Sequence, residues 1–212
     1  MKNREFLHIL GAIILFSMIG ALSFLIEGRW DILPLVFLFA VIIILVSVFA
    51  KKLMAYALDA DVEHEIWNVS RYGIKKHQKL KKEIPGGIIF PIFLSIFSLG
   101  LIKFPAFLTY EAGALKRRAA KRFGVYSFTE LTEWHNGLIG TAGIVAVLIL
   151  GIIAYFLPFN LEYFSKLSAY YALSNLIPIS KLDGSQIFFG SRVLWTALAL
   201  ITLIISLYAM IL

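Results

Sequence analysis

The chain contains no cysteine, so disulfides, thiolate metal sites and cysteine nucleophiles are excluded. Charge is scarce too. Charged residues make up 16% of the sequence, where a soluble domain carries about a quarter. With four histidines in 212 residues, the choices for imidazole chemistry are few. Hydrophobic residues fill the gap, at 60% of the chain, and the mean hydropathy is +0.85.

That apolar content lies in blocks too long for a small soluble core. Phe6–Ile26 carries no charge between Glu5 and Glu27, and Leu33–Ala50, Gly137–Phe159 and Val193–Leu212 repeat the pattern. Each matches the roughly 17–25 residues that a helix needs to cross a hydrocarbon core. Phe6–Ile26 follows Lys2 and Arg4 as a secretory signal would. It is long for a signal core, lacks a small-x-small cleavage site and is closely followed by another apolar block, so it reads as a span.

The formal net charge of +7 is concentrated: thirteen of the twenty Lys/Arg fall in Lys51–Pro85 (eight) and Thr109–Asn136 (five). Basic loops beside spans point to cytoplasmic segments near anionic lipid headgroups and away from nucleic acid. The expected fold is all-α, one polytopic membrane domain over 1–212 with about five or six spans or half-spans. The spans are expected near 6–26, 33–50, 137–159, 162–180 and 193–212, with 86–108 as a bent hairpin, because Pro91, Gly100, Lys103 and Pro105 interrupt it. The inner loops are 51–85 and 109–136. Localisation is expected in a prokaryotic plasma membrane, with the N-terminus and basic loops cytoplasmic. The spacing of Ala55, Leu58, Val62, Ile66 and Val69 predicts an amphipathic surface helix over Lys51–Tyr72, capped by Gly73.

The segment with most chemistry in it is Asn175-Leu-Ile-Pro178-Ile-Ser-Lys-Leu-Asp183-Gly184. It places a polar amide inside an apolar helix, a proline break and then a carboxylate. Polar groups near the bilayer are costly and are often kept for function. A structural role is the alternative, with Asn175 bonding backbone, Pro178 ending a helix and Asp183 capping the next.

This segment resembles the Asn-x-x-Pro-x-x-x-x-Asp-Gly motif of the site-2 proteases, the intramembrane zinc metalloproteases. Upstream, Ala142-Gly143-Ile144-Val145-Ala146-Val147 is similar to that family's Ala-Gly-Pro-x-x-Asn span, with Ile144 and Val147 replacing Pro and Asn. The resemblance implies a site-2-protease-like core, with Asp183 as third zinc ligand and Asn175, Pro178, Gly184 and Gly143 as motif residues. The family's His-Glu-x-x-His motif, which supplies two zinc ligands and a base, has two possible alignments. His64-Glu65-Ile66-Trp67-Asn68 keeps one ligand and the base. Ser47-Val48-Phe49-Ala50-Lys51, at the end of the second span, keeps neither, and Lys51 would repel a cation. The second is preferred because it preserves membrane depth.

Both alignments point to a proteolytically inactive relative that acts as a binding or regulatory protein, with no cofactor and with a membrane-protein partner. A zinc protease with displaced ligands is the first alternative, using His64, His135 and Asp183 as ligands and Glu65 or Glu133 as base. A transporter or lipid-binding protein is the second, on the strength of Lys103 and Asn175 at membrane depth.

Overall fold

A computed structural model describes residues 3–71, 79–115, 131–158 and 161–211. The protein is mostly helical. Its elements are α1 (Asn3–Ile26), α2 (Leu33–Ala57), β1 (Ala60–Ile66), β2 (Val69–Arg71), β3 (Lys79–Ile84), α3 (Gly86–Phe97), β4 (Leu108–Ala114), α4 (Glu133–Phe156), α5 (Glu162–Asn175), α6 (Asp183–Gly190) and α7 (Arg192–Ile211). Stretches of α1, α2, α4 and α7 are long and apolar enough to cross a membrane. Their outward faces carry residues such as Leu7, Phe49, Ile153 and Ile204, all exposed, as a lipid-facing surface requires.

Apart from α3, which carries Pro91, the helices have no proline in their interiors. Pro34 sits in the first turn of α2, where a missing N–H costs nothing, and the next proline after it is Pro85. α1 and α2 pack together with α4 and α5 around Ile13, Phe16, Ile43, Ile44, Val147 and Leu167.

The all-α expectation needs correction, because β1 and β4 form an antiparallel pair running from Ala60↔Ala114 to Ile66↔Leu108. β2 and β3 make a second ribbon. The predicted amphipathic helix over Lys51–Tyr72 is therefore not observed. α2 continues through Ala57, Asp59 turns the chain with a left-handed φ of 54°, and β1 follows. The misreading has a simple origin. Leu58, Val62 and Ile66 are four apart, which is one helical turn but also two strand repeats. Gly73 and the basic run from Lys75 to His77 lie outside the described residues, as does 116–130 of the second basic segment.

Residues 86–107 leave the sheet as α3 and return to it as extended chain. α3 has twelve residues, a length of about 18 Å against a hydrocarbon core of about 30 Å. At the tip, Gly100 adopts φ 81°, and a Cβ there would lie 2.8 Å from the Ser23 backbone nitrogen, so the hairpin tip rests against the far end of α1. A full-length span over 162–180 is also not observed. α5 ends at Asn175 after fourteen residues, since Pro178 disfavours helical geometry at the residue before it.

Candidate functional site

Ser47 and Lys51 are four residues apart on α2 and so share one face. Both are buried, and both lie against Gly143 of α4, where a Cβ would stand 3.1 Å from Ser47 Oγ and 2.5 Å from Lys51 Cε. Only glycine lets α4 approach α2 this closely. Facing them is Asp183, the first residue of α6. After the Pro178 break, Ser180 turns with φ 54° and Leu182 is extended, which delivers the carboxylate inward. Gly184 is required next to it, because a Cβ would fall 2.0 Å from the Leu176 carbonyl oxygen. Lys51 Nζ lies 2.6 Å from Asp183 Oδ2, with the side chains 1% and 0% exposed. Among the described residues the carboxylate has no other partner. Asp183 thus pairs with a lysine and makes no cap hydrogen bond to its own helix.

Aromatic and polar groups close the site. The Lys51 ammonium stands 5.0 Å from the centre of the Tyr110 ring, and the Tyr110 hydroxyl donates to the Asn136 carbonyl. Burial, reinforced by the Asp183 charge, pushes the Tyr110 phenol well above its usual range. Tyr171 donates to Ser47 Oγ at 3.2 Å. Asn175 donates to the Tyr171 carbonyl at 2.9 Å and the Pro105 carbonyl at 3.3 Å, which ties the returning arm of the hairpin to α5.

The other candidate ligands lie elsewhere. His64 Nδ1 is 3.0 Å from Glu5 Oε1, and Glu5 also binds Lys52 at 2.7 Å. Glu65 is 4.0 Å from Lys181. His135 bonds the Thr132 hydroxyl at the start of α4, and Glu133 is exposed beside it. Among the described residues no three His, Asp or Glu side chains are grouped to hold a metal. Around Asp183 the groups are an ammonium, two phenols and a serine hydroxyl, and a divalent cation there would meet the ammonium. This donor set does not fit zinc. Sequence reasoning took Lys51 as a group that repels metal and missed it as the partner of Asp183. The signal was present: a lysine late in an apolar helix needs a counter-charge at the same depth.

Beside this pair lie the two outer edges of the β1–β4 sheet. Trp67 N–H donates to the Phe107 carbonyl and Leu115 N–H to the Asp59 carbonyl. Odd-numbered residues of β1 therefore bond toward β4, and even-numbered residues of both strands point their backbone groups outward. On β1 this outer edge is blocked: Asp61 accepts from Val62 N–H, and Glu5 from His64 N–H. On β4 the Tyr110 carbonyl accepts from Gln186. The Ala112 N–H and C=O are unpaired among the described residues, and Ala112 lines a cavity of about 460 Å³ with Asn136, Lys181 and Gln186. Asn136 Oδ1 there is buried without a partner.

The site belongs to a helical protein with four membrane-length helices and a small sheet set among them. No protein-family profile, curated protein or solved structure matches the chain.

Proposed function

We propose that this chain is a non-proteolytic membrane protein of site-2-protease-like architecture, which binds an extended segment of a membrane-protein partner along the outer edge of β4. The observation that carries the reading is the buried Lys51–Asp183 pair. In the alignment ending at Lys51, this lysine stands at the second histidine position of the family's motif and Asp183 at the third ligand. An ammonium then neutralises the carboxylate that zinc would otherwise hold, and the arrangement stays folded without hydrolytic chemistry. Binding is supported by the Ala112 edge, since unpaired backbone groups of a strand are a template for an added one. The N-terminus and basic segments face the cytoplasm in this reading, near anionic headgroups.

The displaced-ligand protease has less support, because His64 and His135 bond Glu5 and Thr132 respectively. The transporter reading loses its pointers to structural contacts. Lys103 sits over the Tyr163 and Tyr170 rings and donates to the Gly100 carbonyl, and Asn175 is bonded as above.

The test is metal analysis of the protein purified in mild detergent, wild type beside Asp183→Ala. Both are expected to hold no stoichiometric zinc. Stoichiometric zinc in the wild type that Asp183→Ala removes would restore the metalloprotease.

A further inference from the structure

α1 and α2 are antiparallel neighbours whose seam is closed at one end and open at the other. Late in α1, a Cβ on Gly20 would stand 2.9 Å from Val36 Cγ1, so glycine lets the two helices touch there. Toward the start of α1 they part. β1 packs against both at that end, through His64 on Glu5 of α1 and through Val62 beside Ala55 of α2. The parting leaves a groove of about 840 Å³. Buried Ile9, Ile13 and Val48 form its floor, exposed Phe6 and Phe49 stand on its two sides, and Ala146 of α4 also lines it. Among the described residues that line it, the one charged group is Lys52, at the end where α1 begins.

The dimensions decide between occupants. The groove runs from Phe6 to Ile13 on α1, about 10 Å, and from Leu45 to Leu53 on α2, about 12 Å. Both lengths fit within one leaflet, about half of a hydrocarbon core of about 30 Å. A partner's spanning helix would find the groove under less than half its length. A phospholipid chain ends near the bilayer middle, as the groove does, and its phosphate then lies at the level of Lys52. Lys52 Nζ is 2.7 and 3.0 Å from the two Glu5 carboxylate oxygens. An ammonium has three N–H donors, so one remains for a further acceptor. The Lys52 side chain is 32% exposed, so that acceptor can reach it.

We propose that this groove is a phospholipid site, with one acyl chain between Phe6 and Phe49 and the phosphate accepting from Lys52. Lipid tails are as apolar as leucine, so the chain gains little by leaving bulk lipid. Retention comes from the charge-assisted bond to phosphate and from the fit of the chain against Ile9, Ile13 and Val48. The groove shares no lining residue with the cavity beside Ala112. It stands whether or not the β4 edge binds a partner.

The test is native mass spectrometry of the full chain in dodecyl maltoside, a detergent without phosphate, titrated with palmitoyl-oleoyl phosphatidylglycerol. One lipid per chain is expected to bind at least tenfold tighter than any further one. Leu45→Trp and Ala146→Leu fill the groove from α2 and α4, and each is expected to weaken this first site at least tenfold. Lys52→Gln is expected to weaken it about tenfold, with Lys52→Arg retaining it. Palmitoyl-oleoyl glycerol, which lacks the phosphate, is expected to bind wild type about as weakly as the phospholipid binds Lys52→Gln. Leu203→Trp, on the exposed face of α7, is the control and leaves the first site unchanged. Thermal melts confirm that the variants compared are folded. Absence of a preferred first site, or one that the folded groove-filling variants keep, would overturn the proposal. Diacylglycerol binding as tight as that of the phospholipid would overturn the phosphate contact.

Discussion

Breaking the Lys51–Asp183 pair from one side leaves the other charge buried alone. Both residues are essentially inaccessible and 2.6 Å apart, and removing one partner of such a pair costs about 3–5 kcal/mol. In a chain of about 200 residues each kcal/mol moves the melting temperature by roughly 2–4 °C. Asp183→Ala and Lys51→Met are therefore each expected to lower it by roughly 6–20 °C. The double variant Lys51→Met/Asp183→Ala removes both charges and leaves apolar side chains, and is expected to recover most of that loss, since apolar replacements of buried pairs are often neutral or stabilising by about 1–4 kcal/mol. Intrinsic tryptophan fluorescence during heating in mild detergent gives all four corners of the cycle. Single losses under about 1 kcal/mol, or a double variant losing the sum of the singles, would show that the two charges do not depend on each other.

Gly184→Ala is expected to destabilise the protein more than Asp183→Ala, because its Cβ would meet the Leu176 carbonyl oxygen at 2.0 Å and neither backbone can yield; a melt matching wild type would contradict the close approach of α6 to the end of α5. His64 makes stability depend on acid. Its folded-state value of about 3 lies below the ordinary 6.5, so the unfolded chain binds the extra proton between those limits and stability is lost as pH falls through that window, by up to about 1.4 kcal/mol per unit. Melts from pH 7 to pH 4 should show this slope in the wild type and a shallower one in His64→Gln; identical slopes would place the titration elsewhere.

Much of this architecture was legible in the sequence because hydrophobic length is a strong signal. The blocks at 6–26, 33–50, 137–159 and 193–212 correspond to α1, α2, α4 and α7, with ends shifted by several residues. The Asn175-to-Gly184 segment also stood out, since an amide, a proline and a carboxylate in apolar surroundings each need a structural reason. The sheet was not readable. β1 is a seven-residue strand whose apolar residues mimic helical spacing, and its partner β4 lies more than forty residues away beyond α3. Local pattern carries no record of such a pairing. Glu5 was overlooked for a related reason: near the chain start it looked like a flanking charge, yet β1 brings His64 onto it and α2 brings Lys52. Lys51 was identified but given the wrong sense, because its meaning depends on what stands opposite.

The central claim is that Lys51 and Asp183 occupy positions where a metal site would be built. Its most direct test is to restore the ligands with Ser47→His/Lys51→His and titrate zinc into the purified, folded protein. Two imidazoles one turn apart on α2 would face the Asp183 carboxylate, a set of three ligands with Zn–N distances near 2.0–2.1 Å expected. The account predicts stoichiometric zinc in this variant, none in the wild type, and loss of the metal when Asp183→Ala is added. A folded variant that takes up no zinc, or one that holds zinc equally well without Asp183, would contradict it.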